Sequence, residues 1–412
     1  MSSEALYIYL QRPDNGEWVT VGRYTLDRAS GTGIFRYAPL YLEQGLPWSI
    51  DPVNLRLTGQ ADYPAQRYRG LSDVLRDICP DAWGRSLLQR EHGLPDSAHD
   101  LDYLRLAGNG ERWGALAVGS GKRPSPAHIA IPRLARLGEL LDELLCMAQQ
   151  QPPRHPDLRR QLLRSPSMGG ARPKATVQDG EHLWLAKPTL ASDAQPVALL
   201  EYTCMQLASA CGIDTAATQL HRDGVRDTVL VQRFDRLGPQ RQMVVSAASL
   251  LQTEYPGSTP ANQARWSYSR LAQVLRQIGA PDSDLQQLFR RMLFNALIGN
   301  DDDHPRNHAI IWCQAEHRWR LSPAFDIVPA AGDAPRTLAM QLSNGRFDIS
   351  REALLADARF FGFAGQAEAE NEMQALLQRL DAGFAQQTGE LPQEWREWLG
   401  ERVEGQRRVL AS

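Results

Sequence analysis

The spacing of apolar residues changes character partway along the chain. Up to about residue 120, short alternating runs such as Leu6-Tyr-Ile-Tyr-Leu10, Trp18-Val-Thr-Val21, Gly33-Ile-Phe-Arg-Tyr37 and Trp113-Gly-Ala-Leu-Ala-Val118 lie between Gly, Asp and Pro. Such runs predict strands. Helical spacing is interleaved at 71–76, 81–90 and 134–150, and the Gln- and Pro-rich stretch 149–156 reads as a surface connection. Next come a Gly/Ser/Pro loop over 162–177, a strand at 182–187, a helix at 199–211 and a strand at 228–236. Beyond 237 the period is helical at 267–278, 285–298, 351–361, 367–385 and 392–410, broken only by a hairpin at 309–321.

This order predicts an α+β, two-lobed, protein-kinase-like fold, with a β-rich N-terminal part, a mostly helical C-terminal lobe and nucleotide in the cleft. Three segments are expected: a β-rich subdomain at 1–120, a β-containing lobe at 121–236 and a helical lobe at 237–412. A net charge of −3 over 412 residues gives no global field toward nucleic acid or membrane. The chain opens without a signal pattern and has no apolar run of bilayer length. Its five dispersed cysteines read as reduced core thiols of a cytoplasmic protein.

The chemistry concentrates at 297–310, Leu-Ile-Gly-Asn-Asp-Asp-Asp-His-Pro-Arg-Asn-His-Ala-Ile, between the apolar helix and the hairpin. Asp302 precedes Asn307 by five residues, the Asp-x-x-x-x-Asn spacing of a kinase catalytic loop, and Asp326 follows the hairpin in Ser-Pro-Ala-Phe-Asp-Ile-Val-Pro. In that pattern Asp302 takes the proton of an attacking hydroxyl, while Asn307 and Asp326 give oxygen ligands to magnesium. His304 is expected to brace the loop by hydrogen bonds, and Asp301 and Asp303 to be solvated acids. A rival reading makes Asp301, Asp302 and His304 the ligands of a metallohydrolase. It leaves Asn307 and the glycine loop without a role.

Upstream, Ser165-Pro-Ser-Met-Gly-Gly-Ala-Arg-Pro-Lys174 pairs two glycines with Arg172 and Lys174, suited to phosphate oxygens but without P-loop spacing. Ser165 and Ser167 stand at its mouth, where a kinase could modify itself. Lys187, ending an alternating strand, is placed to reach α/β-phosphates, with Glu201 as its partner on spacing.

Together, Gly299 to Asn307, Ser322 to Pro329, Ser167 to Lys174 and Gln232-Arg-Phe-Asp-Arg236 resemble the HipA family of serine/threonine kinase toxins of bacterial type II toxin–antitoxin systems. Phe35-Arg-Tyr37, Tyr41-Leu42, Ser49-Ile-Asp-Pro52 and Pro80-Asp-Ala-Trp-Gly84 resemble its first subdomain, so the resemblance covers nearly the whole chain. It implies Asp302 as catalytic base, Asn307 and Asp326 as metal ligands and Lys187 as the phosphate-binding lysine. It also implies ATP contacts from Met168, Gly169, Gly170, Ala171 and the adenine hinge Gln232 to Phe234, with inactivating autophosphorylation at Ser167 or Ser165. ATP and Mg2+ are the implied cofactors. The implied partners are a helix-turn-helix, HipB-like antitoxin in a DNA-bound repressor complex and an aminoacyl-tRNA synthetase as substrate. Two positions depart from the family pattern. Asp301 stands where a small polar residue is frequent, and Gln232 where glutamate can occur. The alternatives are a small-molecule phosphotransferase of kinase-like fold and an inactive kinase-fold co-repressor.

Overall fold

Alternation in the first strands gives one face to the core, and Ile8, Leu10, Val21, Tyr24 and Phe35 are fully buried. The computed structural model describes residues 4–125, 130–164, 170–224, 226–255, 257 and 259–411. These first strands form an antiparallel five-stranded sheet in the order Tyr63–Ala65, Thr32–Tyr37, Trp18–Asp27, Glu4–Gln11, Leu116–Gly119. A second hairpin pairs Ala175–Asp179 with His182–Pro188.

The chain divides into two units, Met1–Lys187 with Gln232–Val245, and Pro188–Val231 with Ser246–Ser412. These bounds cut across the three segments drawn from the sequence. Residues 188–231 go with the helical part, where the Val197–Ala210 helix packs on Gln366–Gln387. Residues 232–245 go with the β-rich part because a buried ion cluster holds them there. Asp235 accepts from Arg233 Nε at 3.0 Å and Nη2 at 2.8 Å, from Arg236 Nη1, and from the Gly114 N–H at 2.8 Å. Arg233 Nη1 also reaches Glu111 at 2.8 Å.

In the second unit the Asp282–Ile298 helix buries one face in its first half and every residue from Arg291 to Ile298 in its second. Phe289 packs against Phe361 and Phe363, with ring centroids 5.6 and 5.1 Å away. Asp284 in its first turn accepts from Arg320 and from the Leu321 N–H, tying the helix to the Arg318–Leu321 strand. The helices over 268–277, 366–387 and 393–411 and the hairpin of Ala309–Cys313 with Arg318–Leu321 follow the predicted pattern closely.

Several helices escaped the hydrophobic pattern, among them short ones at Pro39–Glu43 and Ala247–Leu250 and two longer ones. Asp100–Leu106 starts at a histidine cap: His99 Nδ1 accepts the Leu101 N–H at 3.0 Å while Asp102 accepts the His99 N–H at 3.0 Å. Pro156–Arg164 begins on a proline inside the stretch read as connection and loop. Among the described residues, no helix is long and apolar enough to cross a membrane.

Candidate active site

The buried helix over 282–298 delivers its C-terminus to the site and stops there. Gly299 adopts φ 70°, and a Cβ on it would lie 2.8 Å from Pro335 Cδ and 3.2 Å from Arg402 Nη1. Only glycine combines that backbone with that space. The chain then turns outward at Asp301 and Asp302, both exposed, and returns through a 3-10 turn over Pro305–Asn307. Asn307 is buried and donates from Nδ2 to the Asp302 carbonyl at 3.1 Å, so the two are held in one loop. Partial loss of water pushes the Asp302 carboxyl up to about 6, with further contributions from Asp326, Asp301 and Asp303. Asp302 and Asp326 therefore share one electrostatic neighbourhood.

Asp326 has φ 61°, the left-handed region that a side chain enters at a cost. The flanking chain overdetermines this conformation. The Ala324 N–H donates to Asp214 O at 2.8 Å and the Ala216 N–H to Ala324 O at 2.9 Å, while Arg291 donates to Ser322 O. On the far side the Ala330 N–H donates to Gly299 O at 2.8 Å, closing this segment onto the helix end. The last helix, Gln393–Ala411, adds bonds from Arg402 to the Ala330 and Gly332 carbonyls and from Gln406 Nε2 to Pro335 O.

His304 is buried with its ring centroid 3.6 Å from that of Tyr255. Among the described residues its Nδ1 has no hydrogen-bond partner, and the ring rests against Tyr255. Burial pulls its pKa down to about 4 against the opposing pull of Asp326 and Asp303, which keeps the ring neutral near pH 7. Asp303 corrects the sequence reading, which took it for a solvated acid. It is 3% exposed and accepts hydrogen bonds from Tyr268, Asn295 and His308. Burial alone would raise its carboxyl; His308 and the Tyr268 hydroxyl outweigh that and hold it below the ordinary value. Sequence reasoning missed Tyr268, Asn295 and Tyr255. Only His308, adjoining Asn307, lay within the motif.

The upstream candidates belong to the first unit, apart from Glu201. Lys187 is half-buried near the end of the His182–Pro188 strand. Gln232 shares a 2.8 Å hydrogen bond with His182 Nδ1, the Arg233 N–H donates to Leu183 O at 2.8 Å, and Phe234 meets Trp113 edge-on at 6.4 Å. Gly170 has φ 71°, with its carbonyl accepting the Trp83 N–H at 3.3 Å. A Cβ on Gly170 would meet Lys174 Nζ at 2.6 Å. Ala171 is exposed, whereas Lys174 is buried. Ser165, Ser167, Met168 and Gly169 lie outside the described residues. Glu201 lies in the second unit, 2% exposed in the Val197–Ala210 helix. Among the described residues, no three His, Cys, Asp or Glu side chains gather as a metal site, so the metallohydrolase reading finds no ligand cluster.

The architecture is α+β and protein-kinase-like, with a β-rich N-terminal part and a mostly helical C-terminal part. Residues 166–388 match the family model described as the HipA-like C-terminal domain, and the chain belongs to that family. A solved structure with the same fold is HipA of Shewanella oneidensis MR-1, determined with HipB and operator DNA. It has TM-score 0.71 and 17% identity over 97% of this chain and 95% of that one. Two curated relatives also match. A Sinorhizobium fredii protein named "Putative kinase Y4mE" is 24% identical over 34% of this chain and 34% of its own length. A Haemophilus influenzae protein named "Putative kinase" is 26% identical over 31% of this chain and 40% of its own length. The matched stretch thus spans well under half the length of either relative.

Proposed function

We propose that this chain is an ATP- and magnesium-dependent serine/threonine protein kinase of HipA type. The observation that carries this reading is the joining of Asp302, Asn307 and Asp326 by one helix end, one hairpin and one strained segment. The donor set fits a hard cation: Asp326 and Asn307 offer oxygens, and the repulsion from Asp326 that adds to the effect of lost water on Asp302 is what a cation relieves. When bound, Mg-ATP supplies the phosphoryl group and neutralises its developing charge. Asp302 accepts the proton of the attacking hydroxyl through a carboxylate that reaches solvent. Asn307, by its bond to the Asp302 carbonyl, fixes base and ligand in register. His304, neutral and packed at a tilt against Tyr255, keeps a competing charge out of the loop. Lys187 serves the α/β-phosphates, and the backbone from Gln232 to Phe234 serves the adenine edge.

Regulation by autophosphorylation at Ser167 or Ser165 belongs to this reading, because a phosphate there repels those of ATP. A HipB-like antitoxin in a repressor complex is the proposed partner, supported by the fold shared with a HipA solved with HipB and operator DNA. An aminoacyl-tRNA synthetase is the proposed target and the cytoplasm the proposed compartment. The test is intact mass and site mapping of the purified chain after incubation with Mg-ATP, beside Asp302→Asn. One or two phosphates on the loop serines of wild type, and none on the variant, is the expected result. No phosphate on either, with no ATP-dependent thermal shift, refutes the assignment.

A further inference from the structure

Beneath the catalytic loop lies a polar cluster that the proposed chemistry does not itself use. Tyr268, Asn295, Asn300, Asp303 and His308 are all more than nine-tenths buried. Asp303 Oδ2 is its centre, accepting from the Tyr268 hydroxyl, from Asn295 Nδ2 at 2.8 Å and from His308 Nε2 at 2.9 Å. Asn300 Nδ2 in turn donates to Asn295 Oδ1 at 3.1 Å. The donors come from separate places: the Tyr268–Gln277 helix, the last turn of Asp282–Ile298, and the residue leading into the Ala309–Cys313 strand.

We infer that Asp303 is a positioning residue for the catalytic loop. Asp302 and Asp303 are neighbours with opposite fates, one exposed and one buried, so anchoring the second fixes the direction of the first. The same carboxylate grips His308, the residue after Asn307, so both ends of the 302–307 loop are pinned to one point. Because three buried donors converge on a single oxygen, removing the carboxylate takes away the acceptor they share, leaving among them the long 3.4 Å bond from Asn295 Nδ2 to the Tyr268 hydroxyl, and the loop loses its common anchor. This inference rests on the kinase reading, in which Asp302 and Asn307 must be held together.

The test compares wild type with Asp303→Ala and Asp303→Asn, adding Tyr268→Phe, which removes one donor and leaves the acceptor. Phosphate incorporation is measured per folded molecule against ATP concentration, and hydrogen exchange is followed at amides 300–308. Positioning predicts that Asp303→Ala lowers kcat at least about 30-fold with KM for ATP within threefold, that Asp303→Asn recovers part of the loss, and that Tyr268→Phe stays within about fivefold of wild type. It also predicts that exchange at 300–308 quickens at least tenfold in Asp303→Ala while the core of the 282–298 helix keeps its protection. A kcat per folded molecule within twofold of wild type, or unchanged exchange in the loop, overturns the inference while leaving the kinase reading standing. A wild-type chain that transfers no phosphate overturns the kinase reading and the catalytic role of the anchor with it. The exchange result separates that failure from one of the anchor itself.

Discussion

Asp235→Asn is the substitution from which the first unit has most to lose. The change is nearly isosteric, but it replaces an acceptor-only carboxylate that is 2% exposed with an amide whose NH2 faces donors. Two arginines and the Gly114 N–H converge on that carboxylate, and Arg236 is already held down to about 9 by burial even with Asp235 beside it. Breaking a buried ion pair from one side costs about 3–5 kcal/mol, because the partner charge stays buried without compensation. For a unit of this size that is a fall of about 6–20 °C in melting temperature. Differential scanning calorimetry reads it directly, with Asp348→Asn as the control. Asp348 also pairs with an arginine, Arg346, but at the surface, where loss of a pair costs about 0–1 kcal/mol. A shift for Asp235→Asn no larger than that for Asp348→Asn refutes the claim that this cluster binds residues 232–236 to residues 111–114.

Acid should act on the same cluster. Arg233 and Arg236 hold the Asp235 carboxyl, which burial would otherwise raise, well below its ordinary 3.8. Its contribution is therefore complete above that value and disappears as pH falls from there toward the depressed folded value. Melting curves of wild type should drop steeply below pH 4, and those of Asp235→Asn should drop less. Phe289→Ala, in the aromatic cluster with Phe361 and Phe363, should destabilise the second unit by about 3–5 kcal/mol in chemical denaturation. Asp326→Asn should raise the magnesium concentration needed for half-maximal phosphate transfer by about tenfold or more, since a neutral ligand replaces a charged one. An unchanged magnesium requirement removes Asp326 from the metal site.

Much of the helical part was legible because its helices carry an apolar period, as residues 285–298 do, and because Gly299 marks the end of that helix in the sequence itself. The loop that holds Asp302 and Asn307 together was legible for a different reason: acid and amide at fixed spacing are local. What stayed hidden depends on partners distant in sequence. Asp303 reads as solvent-facing beside Asp301 and Asp302, and nothing local indicates that Tyr268, 35 residues earlier, waits to cover it. The attachment of 232–245 to the β-rich unit was hidden likewise, since its reason lies at Glu111 and Gly114, more than a hundred residues upstream. A histidine cap and a proline start concealed two helices from a pattern that looks for serine, threonine or aspartate at the first turn.

The bonds from Arg402 and Gln406 to the carbonyls of 330–335 have a consequence for the order of assembly. The segment that carries Asp326 is supported from its far side by residues that leave the ribosome after it, so a growing chain can form the 302–307 loop before these supports for the Asp326 segment exist. A chain that stops short of Arg402 and Gln406 lacks these supports for the segment that carries Asp326.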